Sequence, residues 1–199
     1  MKLKDAILFV YTLILFVLHL YALGHVLYSA SEFVYSNVVW FLIFITALQY
    51  LDIIFSFFLT KSNPIVVFFQ VSGRILVLYV ANHTTGWMPV VFCLVAVYLL
   101  SELCRGPYYL TQCLKVPNDQ LTWLRYNAFK VLYPIGFTCE GLVFANVFLN
   151  SHPPVVDIMN PYFILTLFFP IIFLTIVKFL YSSMSKKAAQ KNKELKKKN

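Results

Sequence analysis

The chain has 199 residues, of which 60% are hydrophobic and only 12% charged, with a mean hydropathy of +0.76. A soluble domain carries about twice that share of charge, so the composition excludes one and points to a bilayer. Sixteen Lys and Arg against eight Asp and Glu leave a formal net charge of +8, and its placement decides whether an anionic partner is needed.

Six apolar stretches predict an all-α bundle of six transmembrane helices, over residues 6–28, 38–59, 64–81, 87–103, 123–149 and 161–181. The third and fourth lie near the lower length limit for spanning. The first follows Lys2 and Lys4 and reads as an uncleaved helix, because its apolar run continues through Val26 to Tyr28. A cleaved signal peptide, with Ala22-Leu23-Gly24 as a small-x-small site, is the alternative and leaves the remaining topology unchanged. His19 and His25 on this span read as satisfied bundle histidines.

The second span carries Gln49 and Asp52 within a turn of each other, the third carries Arg74, and the fourth closes on Glu102. Arg74 stands about ten residues into its helix, roughly 15 Å deep, too far for its stem to bring the charge easily to water. Unpaired charges inside a bilayer are rare. Arg74 is therefore expected to pair with Asp52, Glu102 or Glu140, in an ion pair that either holds the bundle or faces a substrate.

Charge placement tests the six-span plan independently. The N-terminus, the second and fourth loops and the C-terminus hold or border Lys2, Lys4, Lys61, Arg105, Lys115, Arg125, Lys178 and the tail lysines. The opposite loops, 29–37, 82–86 and 150–160, contain no Lys or Arg. The positive-inside rule then puts both termini in the cytosol. Seven of the sixteen basic residues fall between Lys186 and Lys198. The domain plan is thus a transmembrane unit over 1–184 and a basic, disordered cytosolic tail over 185–199. Such a tail is drawn to anionic lipid, and the net charge calls for no nucleic-acid partner. Lys196 and Lys197, fourth and third from the end, match a dilysine retrieval signal of endoplasmic reticulum membrane proteins.

The four cysteines predict neither a disulfide framework nor a metal site. Cys93 and Cys139 fall in spans, Cys104 and Cys113 in or near a cytosolic loop where thiols stay reduced, and none has ligand spacing to a histidine or second cysteine pair. Asn82-His83-Thr84 is a glycosylation sequon in a loop so short that the acceptor lies close to the membrane.

The fifth span is the most informative. It carries an ionisable pair, Tyr133 and Glu140, and an intramembrane carboxyl is costly enough to be read first as functional. Seven residues are two helical turns, so both side chains share one face, roughly 10 Å apart along the axis. Pro134 and Gly136 lie between them, and a bend at Pro134 would draw the two groups together. A phenol and a carboxyl so placed suit acid/base chemistry.

Arg125-Tyr126-Asn127, then Leu132-Tyr133-Pro134-Ile135-Gly136 and Glu140, resemble the signature of the very-long-chain 3-hydroxyacyl-CoA dehydratases, also described as protein-tyrosine-phosphatase-like membrane proteins. The resemblance runs from about residue 45 to 145. It includes Leu48-Gln49-Tyr50-Leu51-Asp52, Gln70-Val71-Ser72-Gly73-Arg74, and Ser101-Glu102-Leu103-Cys104-Arg105 with Tyr108-Tyr109. The chain departs from the family pattern at Gly73, at Gly106-Pro107 and at Asp52. The resemblance implies Tyr133 and Glu140 as the catalytic pair, with Glu140 preferred as base and Tyr133 as proton donor. It further implies a 3-hydroxyacyl-CoA substrate met by Arg74, Arg105, Arg125, Tyr126 and Asn127, and no cofactor or metal. Residence in the endoplasmic reticulum membrane beside the condensing enzyme and reductases of fatty acid elongation also follows from it.

Other classes fit less well. A phosphatase loop needs an arginine six residues after its cysteine, and none of the four cysteines has one. A small transporter would also bury charges but more often shows inverted repeats, which the two halves of this chain lack. A non-catalytic scaffold of the elongation enzymes would not need an intact Tyr133 and Glu140.

Overall fold

The computed structural model describes residues 3–29, 34–55, 64–84, 86–116 and 118–151, with scattered positions between 174 and 190. Among these residues the elements are all helical: α1 (Leu3–Tyr28), a 3-10 turn (Tyr35–Asn37), α2 (Val39–Leu48), α3 (Leu51–Phe55), α4 (Pro64–Ala81), α5 (Met88–Cys113), α6 (Asp119–Asn127) and α7 (Phe129–Ser151). Helices satisfy their backbone polar groups internally, which is what an apolar surrounding demands.

Among the described residues, three helices are long and apolar enough to cross a membrane: Leu3–Tyr28, Met88–Cys113 and Asp119–Val147, the last running through α6 into α7. Val39–Phe55 and Val67–Ala81 are shorter apolar helices. The expected sixth span, 161–181, and the tail fall largely outside the described residues.

α1 buries only Leu15, His19, Ala22 and Val26, a stripe at helical spacing. Val10, Ile14, Val17 and Leu20 are left exposed on its outside, an apolar surface suited to lipid. The stripe lies against α5, where Gly106 lets the backbone come close: a Cβ there would sit 2.7 Å from the Phe16 ring. The departure at Gly106 therefore has a packing reason. Leu78, Val91, Leu94, Val95 and Val143 continue the core across α4, α5 and α7. Tyr35 is buried at its edge and donates to the Leu78 carbonyl at 2.8 Å.

Two details differ from the sequence expectation. The second span is not one regular helix. It tightens between α2 and α3, where Gln49, Tyr50 and Asp52 donate their backbone N–H groups three residues back, to Thr46, Ala47 and Gln49. Such 3-10 turns within helices often mark functional positions, and here the turn carries Gln49 and Asp52. The fourth helix, expected to end near residue 103, runs to Cys113 through Pro107. Arg105 is consequently a helical residue facing the bundle rather than a loop cation. The apolar count ended at Glu102, and the continuing helix is held by the ion pairs of its polar face.

Candidate active site

Helical spacing gathers the polar residues of four elements onto facing surfaces. On α5, Tyr98, Glu102 and Arg105 recur at i, i+4 and i+7; on α4, Gln70 and Arg74 are four apart; on α7, Tyr133 and Glu140 are seven apart. Gln49 and Asp52 complete the set from the α2–α3 turn.

Arg74 pairs with Glu102, one of the three acids open to it. Its second guanidinium nitrogen donates to Ser101 Oγ at 3.2 Å, and the group lies over the Tyr98 ring, 5.3 Å from its centre, a favourable cation–π arrangement. Asp52 pairs instead with Arg105, whose other nitrogen lies 3.7 Å from Glu102 Oε2. Two arginines and two acids thus balance one another in one cluster, with side-chain exposures between 9% and 21%. Gln49 extends the cluster toward α1. Its Oε1 lies 3.5 Å from Arg74 and its Nε2 lies 3.4 Å from His19 Nε2, while His19 Nδ1 reaches the Leu15 carbonyl at 2.6 Å. With both ring nitrogens engaged, His19 is the satisfied bundle histidine its setting suggested.

Tyr133 and Glu140 are not hydrogen-bonded to each other. α7 continues through Pro134 and Gly136 without interruption, so the two groups stay two turns apart, roughly 10 Å of axial rise. The expected bend does not join them, because flanking helices hold each separately. Gln70 Nε2 lies 3.4 Å from the Tyr133 hydroxyl, whose ring stands between Phe129 and Phe137. Glu140 Oε1 accepts from the Tyr98 hydroxyl at 2.6 Å.

Tyr133 lines a narrow cleft together with Gln70, Arg74, Glu102, Arg105 and Arg125. A second small pocket is bounded by His19, Thr46, Gln49, Arg74, Tyr98 and Glu102. At the mouth, Arg125 stands over the rings of Tyr109 and Tyr126 at 6.0 and 5.8 Å. Asn127 accepts from Lys130 Nζ at 2.7 Å and donates to the Trp123 carbonyl at 2.8 Å, one turn back in its own helix.

Of the residues singled out from the sequence, the cleft gathers Tyr133, Arg74, Arg105 and Arg125. Arg74 and Arg105 are committed to carboxylates, which leaves Arg125 as the lining cation without an ion pair among the described residues. Tyr98 was missed. The signal for it was its position four residues before Glu102, on the same face of α5.

An all-helical fold with apolar outer faces and an ion-paired polar interior defines a helical membrane protein with an internal site. The chain belongs to the family described as protein tyrosine phosphatase-like protein, PTPLA, which matches residues 46–197. It is 37% identical over 87 residues to the very-long-chain (3R)-3-hydroxyacyl-CoA dehydratase of Gallus gallus and 34% identical over 87 residues to that of Danio rerio. Each alignment covers 42% of this chain and 24% of the relative. The probable very-long-chain (3R)-3-hydroxyacyl-CoA dehydratase of Schizosaccharomyces pombe is 31% identical over 91 residues, 44% of each chain. The chain thus aligns with about a quarter of the vertebrate relatives and under half of the yeast one. No solved structure matches it significantly.

Proposed function

We propose that this protein dehydrates very-long-chain 3-hydroxyacyl-CoA to the trans-2,3-enoyl-CoA, the third step of the fatty acid elongation cycle. The observation that carries the reading is the position of Tyr133 on a cleft with Arg125 at its mouth, with Glu140 two turns away on the same helix face. Dehydration needs a base for the proton on the carbon beside the thioester and an acid for the departing hydroxyl. Glu140 takes that proton, the C–H electrons form the double bond, and the C–O bond breaks as Tyr133 protonates the leaving oxygen to water. Loss of the proton from Glu140 to solvent and uptake of one by the Tyr133 phenolate reset the site, so nothing is oxidised or reduced and the net product is water.

The remaining residues suit the ends of the substrate. Coenzyme A carries phosphates that stay at the aqueous rim, where the Arg125 guanidinium can bind them bidentately; Tyr126 stacks against that guanidinium and holds it in place. Arg105 and Arg74 set the field of the cleft through their carboxylate partners rather than by meeting phosphate. The acyl chain lies among the apolar helices and never enters water.

In this reading the chain is a six-span transmembrane unit over 1–184 with a basic cytosolic tail over 185–199. Both termini are cytosolic, and it resides in the endoplasmic reticulum membrane beside the condensing enzyme and reductases. Purified protein incubated with a long-chain 3-hydroxyacyl-CoA is expected to yield the 2,3-trans-enoyl product by mass spectrometry. No product at any acyl length, from correctly inserted protein, would defeat the proposal. Tags at both termini are expected to be digested by protease added outside intact microsomes, while a tag at Ser31 or His83 is protected. Protection of a terminal tag would refute the six-span orientation.

A further inference from the structure

We propose that Tyr98 is a positioning residue for Glu140, holding the carboxylate in one orientation through its phenol while its ring supports Arg74; this rests on the dehydratase reading. The phenol donates to Glu140 Oε1 at 2.6 Å, across 42 residues of sequence and from a different helix. It is the hydrogen bond that the described residues give this carboxylate. The same ring lies under the Arg74 guanidinium at 5.3 Å, and Arg74 is itself tied to Glu102 and Ser101. Tyr98 therefore fixes the base from one side and joins it to the ion-paired cluster from the other.

Its place in the molecule distinguishes this role from proton donation to substrate. Tyr133, not Tyr98, lines the cleft with Arg105 and Arg125. Tyr98 borders the second pocket, with His19, Gln49 and Glu102. Glutamate has three rotatable side-chain bonds, and on a half-exposed helix face it samples several rotamers unless something selects one. A short charge-assisted hydrogen bond from a phenol, itself held beneath an anchored arginine, selects one. General-base catalysis depends on that alignment, because the base must reach its proton at hydrogen-bonding distance.

Tyr98→Phe removes the hydroxyl and keeps the ring for Arg74. Its kcat is expected to fall about ten-fold or more with KM nearly unchanged, since neither acyl chain nor coenzyme is touched. In difference infrared spectra, the carboxyl band that disappears in Glu140→Gln is expected to shift in Tyr98→Phe. A variant with wild-type kcat and an unmoved Glu140 band overturns the proposal, as does a fall in activity carried by KM alone. Should Tyr98→Phe fail to accumulate, replacing Tyr98 by 3,5-difluorotyrosine keeps the shape and makes the phenol a stronger donor. The Glu140 band then shifts if the bond exists, and a fixed band overturns the proposal. Failure of the dehydratase reading looks different: the wild-type protein itself would form no enoyl product.

Discussion

Tyr133→Phe and Glu140→Gln are each expected to lower dehydration by about 100-fold or more, with equal amounts of protein in the membrane. Each substitution removes one proton-transfer group and almost no volume. Tyr133→Phe leaves the ring between Phe129 and Phe137 and forfeits only the contact with Gln70. Glu140→Gln keeps an oxygen to accept from Tyr98 but abolishes the base. Because the two act on one reaction from its two sides, the double variant is expected to lose little more than the worse single one. Initial rates of enoyl-CoA formation on matched membrane preparations check this. Near-wild-type turnover in both single variants removes the pair from the mechanism.

The second large effect concerns the ion-paired cluster. Arg74→Met leaves Glu102, whose side chain is 9% exposed, with only the longer 3.7 Å contact to Arg105. Breaking a buried pair from one side costs about 3–5 kcal/mol, so the variant is expected to accumulate poorly and to melt at a lower temperature in detergent. Glu102→Gln is expected to do the same, since it takes a partner from both Arg74 and Arg105. The double variant Arg74→Met with Glu102→Leu recovers only part of the loss, because Arg105 retains Asp52 but not Glu102. Thermal melts and membrane abundance read this directly. An Arg74→Met protein of normal stability, with lowered turnover, would instead make Arg74 a residue of the chemistry; normal stability with normal turnover would deny it either role.

Much of this site is legible in the sequence because helices translate spacing into geometry. A spacing of seven from Tyr133 to Glu140 puts both on one face whatever the surrounding fold, and the cost of a bilayer carboxyl marks Glu140 without any partner in view. Depth alone likewise requires a partner for Arg74, although it does not choose among Asp52, Glu102 and Glu140.

What composition determined by itself was the medium: too little charge for water, apolar stretches in place of an amphipathic pattern, and polar residues few enough that each had to matter. Those properties are sums and periods along one chain, and they need no knowledge of neighbours. Tertiary structure alone decided which acid each arginine takes, that Arg105 lies within a helix rather than on a loop, and that the phenol holding Glu140 is Tyr98 and not Tyr133. The Tyr98–Glu140 and Arg105–Asp52 contacts join residues 42 and 53 positions apart. They depend on which helices meet and at what height. Packing of that kind is a property of pairs of helices, and no period within a single one encodes it.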